Sequence, residues 1–209
     1  REKNHHVLAA DLQRILYNGN GAGIPSTNGH LKPLPRDQED NSPLLEIRQP
    51  EKYWPNVILS DKNRGRLERV ILEIRRREIL ETHGVRPSTR LLFCGPPGCG
   101  KTLTAEVIAG ELGLPILYTR FDSIISSYLG QTSANLRKVF DYAASSSWVV
   151  FFDEFDAIGK SRDDQSEHGE LKRVVNSFLQ LLDSFPTDSI IIAATNHEGL
   201  LDRALWRRF

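Results

Sequence analysis

Eight consecutive residues have the types and spacing of a phosphate-binding loop. Residues 95–102 read Gly-Pro-Pro-Gly-Cys-Gly-Lys-Thr and fit the pattern G-x-x-x-x-G-K-[ST] at every required position. The run 90–94 before them predicts a buried strand, and the run 103–109 after them predicts a helix. A Gly-Pro loop that precedes Lys-Thr by chance is the alternative, which these flanks disfavour. The sequence therefore predicts that the chain binds a nucleoside triphosphate.

The types of residue in this loop indicate what each of them would do. Glycines allow the backbone to turn tightly, so that its N–H groups and the start of the helix face the phosphates. Lys101 would reach the β and γ phosphates, and Thr102 would place its hydroxyl on Mg²⁺. The predicted nucleotide contacts are Gly95, Pro96, Pro97, Gly98, Cys99, Gly100, Lys101, Thr102, Leu103 and, further along the chain, Asp153.

Two adjacent carboxylates, Asp153 and Glu154, follow four apolar residues at 149–152. A buried strand would deliver this pair to the carboxyl edge of a sheet, where open α/β sheets bind ligands. Asp153 would hold Mg²⁺ mainly through its water shell, and Glu154 would orient and deprotonate the attacking water. An ordinary strand that ends in acidic loop residues is the alternative. The position about fifty residues after the phosphate loop favours the catalytic interpretation.

Asn196 follows a second apolar run, at 189–194. Its amide would lie between the acidic strand and the phosphate loop, within reach of the γ phosphate or the water. Alternatively, it simply begins a turn.

The bulk composition is that of a soluble globular protein, with 39% hydrophobic and 26% charged residues. Lys and Arg together number 27, as do Asp and Glu, and this balance disfavours a dedicated nucleic-acid binder. Two cysteines, Cys94 and Cys99, are too few for a disulfide framework and suit a reducing cytoplasm. No run is apolar enough to span a membrane. Because the chain starts at Arg1 and contains no Met, we expect it to be a piece of a longer protein.

Strand and helix patterns alternate after the phosphate loop. Predicted strands at 90–94, 116–119, 148–152 and 189–194 alternate with predicted helices at 133–144 and 170–182, and a charged helix is predicted at 66–81. This order predicts an α/β fold with a parallel sheet covered on both faces. Residues 46–209 would form this domain. Residues 1–45 would form an amphipathic helix, with apolar residues at helical spacing, followed by a linker rich in Gly, Pro and Asn.

Three segments together resemble the AAA+ ATPases, a family of P-loop NTPases. They are GPPGCGKT at 95–102, FFDEFDAI at 151–158, and TN…LDRAL…RRF within 195–209. The resemblance is closest to the protein-remodelling branch with a second region of homology, and covers roughly residues 50–209. It implies the large α/β subdomain of that family, with the C-terminal helical lid absent from this sequence. It also implies Mg²⁺-dependent ATP hydrolysis in a ring, usually a hexamer.

In such rings each site is completed by an arginine from the neighbouring subunit. Arg208 best matches this arginine finger, and Arg207 is its competitor, because the run from Ala204 to Phe209 is about two residues shorter than usual in the family. The guanidinium suits the stabilisation of a transferring phosphate, since it is planar and always charged.

Residues 126–131 resemble the pore loop with which these rings grip a polypeptide. Tyr128 offers a large apolar face, Leu129 follows it, and Gly130 permits a sharp turn. Alternatively, Tyr128 packs in the core beneath a loop. The polar stretch 161–169 would be a second pore loop or an ordinary surface loop.

The resulting prediction is an ATP-driven protein-remodelling or unfolding ring. Its expected partners are other copies of itself, a threaded protein, and a partner protease or adaptor, with no membrane. One alternative is a motor or loader that acts on nucleic acid, which the absence of Lys and Arg between Arg120 and Arg137 disfavours. Another is an ATP-controlled switch for a partner protein.

Overall fold

The computed structural model describes residues 33–38, 41–125, 129–158, 168–185 and 188–209. The predicted N-terminal helix, Tyr128 of the predicted pore loop and residues 161–167 of the second loop lie outside the described residues. Their structures, and the predicted domain boundary between residues 45 and 46, stay predictions.

Five strands form one sheet in the order β1-β3-β4-β5-β2. Strands β2, β5, β4 and β3 pair in parallel, whereas β1 pairs antiparallel with β3 at one edge. The predicted parallel sheet is confirmed, but β1 was not predicted, because three residues are too few to show a periodic pattern. The strands are β1 (Glu46–Arg48), β2 (Arg90–Cys94), β3 (Ile116–Arg120), β4 (Val149–Asp153) and β5 (Ile190–Thr195).

The prediction of a single helix at 66–81 is wrong. Helix α1 (Asp61–Arg75) begins earlier, because the Ser60 hydroxyl accepts a hydrogen bond from the Asn63 backbone N–H at 3.4 Å and caps it. At Arg76 the backbone leaves the helical region, with φ −105° and ψ 23°, and a separate helix α2 (Arg77–Thr82) follows. The sequence pattern missed this break because no Gly or Pro marks it.

The helices predicted at 103–109, 133–144 and 170–182 are confirmed with small changes of their bounds. The described residues contain α3 (Lys101–Leu112), α4 (Phe121–Ile124), α5 (Leu129–Ala143), α6 (His168–Ser184) and α7 (Arg203–Trp206). Short 3-10 helices occupy Trp54–Asn56, Phe155–Ile158 and Glu198–Leu200. Because α5 begins four residues earlier than predicted, Leu129 and Gly130 are the first two residues of this helix.

Helices cover both faces of the sheet, because successive side chains of a strand point to opposite sides. The first face packs on helices α4, α5 and α6, through a cluster that includes Leu117, Val150, Phe152, Phe121, Phe140 and Phe178. The second face packs on α1 and α3, through a cluster that includes Ile116, Val149, Phe151, Ile192, Ile71 and Ile108. Because the central strands are buried on both faces, their sequences are continuous apolar runs.

The parallel pairing brings the ends of distant segments to one edge of the sheet. Cys94 is registered with Thr195, and Arg120 with Asp153. The phosphate loop, the acidic pair and Asn196 all follow these carboxyl ends. None of the helices in the described ranges has the length and hydropathy needed to cross a membrane.

Candidate ATP site

The phosphate loop connects the end of β2 to the start of α3, as predicted. Gly98 and Gly100 have φ values of +75° and +88°, a region that residues with a Cβ rarely adopt. Gly95 is constrained differently, because an added Cβ would lie 2.8 Å from the Cys99 Sγ. These three glycines therefore define a tight backbone turn at the N-terminus of α3.

The Lys101 ammonium lies inside this turn. Its Nζ donates hydrogen bonds to the carbonyl oxygens of Gly95 at 2.8 Å and Pro96 at 3.0 Å, and to the Asn196 Oδ1 at 2.7 Å. A longer contact, of 3.8 Å, joins Nζ to the Cys99 Sγ, and Lys101 forms no ion pair with any carboxylate that the structure describes. No carboxylate in the described ranges therefore neutralises this positive charge, which suits the binding of phosphate.

Three hydrogen bonds orient the Asp153 carboxylate at the end of β4. Its Oδ2 accepts from the Tyr118 hydroxyl at 2.9 Å and the Thr102 hydroxyl at 3.3 Å. Its Oδ1 accepts from the Glu154 backbone N–H at 2.9 Å. The structure thus brings Thr102 and Asp153 together, as expected of two residues that would share a bound Mg²⁺.

Glu154 has a left-handed backbone, with φ +53°. This conformation is uncommon for a residue with a side chain and is often found at functional sites. Its carboxylate lies 3.6 Å from the Arg120 guanidinium and is about half exposed. The Glu154 side chain therefore reaches solvent beside the Asp153 carboxylate.

Sequence reasoning missed Asp156, which is completely buried. Its Oδ1 accepts hydrogen bonds from the Asn196 backbone N–H at 3.3 Å and from the Thr195 hydroxyl at 3.4 Å. These bonds hold the end of β5 against the 3-10 helix that follows the acidic pair. Asp156 could have been noticed in the sequence, because it is a charged residue within the otherwise apolar stretch 155–158.

Tyr118 was also missed, because its pattern is that of an ordinary strand residue. Burial, and then its hydrogen bond to Asp153, raise the pKa of Tyr118 to about 12. The phenol is therefore protonated near neutral pH and acts as a hydrogen-bond donor.

The two candidate arginine fingers have different surroundings. Arg208 donates to Asp183 through Nη2 at 3.1 Å and Nε at 3.4 Å, and this hydrogen bonding holds the pKa of Asp183 below its usual value. Asp183 also lies 3.5 Å from the Arg90 guanidinium. Arg207 is exposed, and its guanidinium has no hydrogen bond or ion pair to a residue in the described ranges. The described residues give neither arginine a hydrogen bond or ion pair to the phosphate loop, and the assignment of the arginine finger stays a prediction.

The donor set fits ATP with Mg²⁺. Apart from chain neighbours, no described atom lies within 4 Å of where a Cβ would be at Gly98 or Gly100, so there is open space beside these two backbone positions. A threonine hydroxyl and one aspartate provide hard oxygen ligands, and Mg²⁺ typically uses few protein ligands and keeps several waters. The described residues contain no group of three or more His, Cys, Asp or Glu side chains that could hold a metal ion, as a zinc site would.

Comparisons with known proteins agree with this chemistry. The family model of the ATPase family associated with various cellular activities (AAA) matches residues 91–209. The chain is 44% identical over 210 residues to an uncharacterized AAA family ATPase, y4kL of Sinorhizobium fredii, a match that covers 100% of this chain and 63% of the relative.

Two further relatives have more specific names. The chain is 34% identical over 177 residues to the ATP-dependent zinc metalloprotease FtsH 3 of Sphaerobacter thermophilus, a match covering 83% of this chain and 36% of that protein. It is 40% identical over 134 residues to the peroxisomal ATPase pex6 of Schizosaccharomyces pombe, covering 61% of this chain and 14% of the relative. The chain thus spans less than two thirds of the length of each of these relatives. With its phosphate loop, acidic pair and matched family model, the chain belongs to the AAA family of ATPases, and its cofactors are ATP and Mg²⁺.

Proposed function

We propose that this chain is the ATPase module of an oligomeric ring that remodels or unfolds proteins. The observation that carries the ATPase part of the proposal is the hydrogen bond from Lys101 to Asn196, which joins the phosphate loop to the end of β5. Together with the contact of Thr102 with Asp153, it assembles one site from three segments of the chain. Such a site can bind a nucleotide and respond to the state of its phosphates.

Each residue of the site has a role that follows from its position. Bound ATP would supply the phosphoryl group that is transferred to water, and Mg²⁺ would neutralise charge on its phosphates. Lys101 would hold the β and γ phosphates, while Thr102 and Asp153 would hold the metal. Glu154 would accept a proton from the attacking water, because its exposed carboxylate follows directly after Asp153. Asn196 would orient the γ phosphate or the water.

Ring assembly would bring a further positive charge to the phosphates, from an arginine of the neighbouring subunit. We assign the finger to Arg208, whose pair with Asp183 is about one third exposed on the arginine side and about half exposed on the aspartate side. An ion pair this exposed contributes only about 0–1 kcal/mol, so that a triphosphate on the neighbouring subunit can displace Asp183. Arg207 remains the competitor, because its exposed guanidinium needs no release.

The proposed substrate is a polypeptide, gripped by Tyr128, Leu129 and Gly130. Leu129 and Gly130 open helix α5, so that the proposed grip immediately precedes a helix packed on the sheet. Between Arg120 and Arg137 the sequence has no basic residue with which to hold a nucleic-acid backbone. The relative FtsH 3 is named as a metalloprotease, which supports a polypeptide substrate here too. No HExxH zinc-protease motif occurs in this sequence, so we propose that any proteolysis belongs to another part or partner.

A substrate trap tests the proposal directly. The complete protein with Glu154→Gln is held on ATP, and the material that co-purifies is identified by mass spectrometry and nucleic-acid staining. We expect proteins that are retained only with ATP. They should be lost when Tyr128→Ala is added and kept with Tyr128→Phe, the matched aromatic control.

Two outcomes would contradict polypeptide threading. Salt-dependent retention of nucleic acid would favour a nucleic-acid motor or loader. Protein retention that persists unchanged with Tyr128→Ala would favour an ATP-controlled switch that binds a partner without threading it.

A further inference from the structure

The Tyr118 side chain is the only group bonded to Asp153, among the described residues, that has no proposed role in the ATP site. Its hydroxyl donates to the Asp153 Oδ2 at 2.9 Å, the same oxygen that accepts from Thr102 at 3.3 Å. The Thr102 hydroxyl is expected to turn towards Mg²⁺ when the metal binds. Tyr118 would then be the remaining side-chain donor to this oxygen, because the other bond, from the Glu154 backbone N–H, goes to Oδ1.

The Tyr118 ring is held by residues on both neighbouring strands. The Arg48 guanidinium carbon, from β1, lies 3.6 Å from the ring centroid, which is cation–π geometry. From β4, the Phe151 ring lies 5.6 Å away, centroid to centroid. Because β3 lies between β1 and β4 in the sheet, the two contacts restrict the ring from both sides.

Arg48 is itself fixed by two carboxylates. Its guanidinium lies 3.0 Å from Glu46 and 3.9 Å from Glu106 of helix α3. The hydrogen bond to Glu46 is the main reason that the pKa of Arg48 is raised. A connected set of contacts thus runs from the edge strand β1, through Arg48 and Tyr118, to the Asp153 carboxylate.

We propose that Tyr118 is a positioning residue of the magnesium site, whose phenol orients the Asp153 carboxylate and whose ring is held by Arg48. A phenylalanine would preserve the ring packing, so that only the hydroxyl distinguishes this role from simple packing in the core. Hydrogen-bond partners of metal-binding carboxylates commonly change metal affinity when they are removed. The proposal rests on the Mg²⁺-dependent ATP chemistry of the site and does not depend on polypeptide threading.

The test uses the complete protein as wild type and as Tyr118→Phe. Binding of a fluorescent, slowly hydrolysed ATP analogue is measured as Mg²⁺ is titrated, and again in EDTA. We expect Tyr118→Phe to raise the Mg²⁺ concentration for half-maximal binding about 10-fold, with binding in EDTA unchanged. The Mg²⁺ requirement for ATP hydrolysis should rise in parallel, while kcat at saturating Mg²⁺ stays near that of the wild type.

Tyr142→Phe is the matched control, because its buried hydroxyl has no hydrogen-bond partner among the described residues. It makes the same chemical change on helix α5 and should leave the Mg²⁺ requirement unchanged. Arg48→Ala should raise that requirement less than Tyr118→Phe, and Arg48→Lys should restore part of the loss because it keeps a cation at the ring. In the double variant, Arg48→Ala should add little to Tyr118→Phe, since both act through one hydroxyl.

Each result that contradicts the expected Mg²⁺ dependence has a different meaning. Thermal unfolding first checks that Tyr118→Phe is folded. If the folded variant has an unchanged Mg²⁺ requirement, the proposal is overturned. Equal loss of binding with and without Mg²⁺ overturns it too, because the residue would then support only the fold. If Tyr118→Phe does not fold, a wild-type Mg²⁺ requirement in Arg48→Ala overturns it. If ATP hydrolysis by the wild type shows no dependence on Mg²⁺, the Mg²⁺-dependent chemistry on which this proposal rests fails as well.

Discussion

The Lys101 ammonium and the Asn196 side-chain oxygen lie 2.7 Å apart, although 95 positions separate the two residues in the sequence. Lys101 begins α3 directly after the phosphate loop, whereas Asn196 follows β5. The bond exists because β5 pairs in parallel with β2, the strand that leads into the loop. It connects the group expected to hold phosphate with the group expected to sense it.

We expect Asn196→Ala to reduce kcat about 100-fold, since it removes a preorganised polar group beside the reacting phosphate. ATP binding should change much less, because the loop glycines and Lys101 remain. Steady-state hydrolysis and nucleotide binding by the assembled protein measure the two effects. His197→Ala is the control, since the bond from His197 to Thr195 comes from its backbone N–H and survives the change. Wild-type turnover in Asn196→Ala would rule out the assigned role.

Glu154→Gln should reduce kcat by about 10²–10⁴ while ATP and Mg²⁺ still bind. The bond from residue 154 to Asp153 comes from the backbone N–H and survives the change. Glutamine must also adopt the left-handed φ of +53°, so that the substitution leaves the local backbone strain in place. Single-turnover kinetics with bound ATP measures the chemical step. Asp153→Asn should behave differently and weaken Mg²⁺-dependent binding, and identical behaviour of the two variants would contradict the division of roles.

Arg208→Ala in the assembled ring should reduce hydrolysis about 1,000-fold or more and leave ATP binding mostly intact. Asp183→Ala provides the decisive comparison, because it removes the carboxylate partner of Arg208 and leaves the guanidinium, among the described residues, with only its bond to the Ala204 carbonyl oxygen at 3.3 Å. If Arg208 acts across the interface, Asp183→Ala keeps its activity. If Arg208 only anchors α7 to α6, both variants lose activity together. A large loss in Arg207→Ala with little change in Arg208→Ala would instead assign the finger to Arg207.

Two Gly→Ala substitutions in helices should change stability in opposite directions. At Gly110 in α3 an added Cβ would overlap the Lys52 carbonyl oxygen, so that Gly110→Ala should cost about 1–3 kcal/mol in the free energy of unfolding. At Gly65 in α1 the added Cβ would meet no described atom within 4 Å apart from chain neighbours and the helix's own backbone, and Gly65→Ala should stabilise by about 0.5–1 kcal/mol. Urea denaturation followed by tryptophan fluorescence compares both variants with the wild type. If both variants change the free energy of unfolding by the same amount, the segment around Lys52 moves at little cost to accommodate the added Cβ.

The Gly110 contact also shows how the segment before α1 is held on the domain. The Trp54 backbone N–H donates to the Glu111 carboxylate at 3.1 Å, one position after Gly110. The Arg75 guanidinium donates to the Glu111 carbonyl oxygen from the end of α1. The absence of a side chain at residue 110 therefore lets three segments meet at one point of α3.

Elements with a local signal could be predicted from the order of the residues alone. The phosphate loop is recognisable because its glycines, Lys101 and Thr102 are consecutive, and backbone geometry imposes that spacing. The buried parallel strands are recognisable because both of their faces are apolar. The acidic pair could be placed at the sheet edge because it directly follows such a strand. The break at Arg76 had no local signal and was missed.

The hydrogen bonds between side chains of distant segments became known from the folded chain and could not be predicted beforehand. The residues around Tyr118 predict only a strand. Nothing near it in the sequence indicates that its hydroxyl donates a hydrogen bond to Asp153, 35 positions away. Asp183 and Arg208 form a pair across 25 positions, and Asp156 holds the backbone of Asn196 across 40. Such contacts depend on strand order, register and helix packing. These are set by the burial of apolar surface over the whole domain, and short-range residue patterns do not encode them.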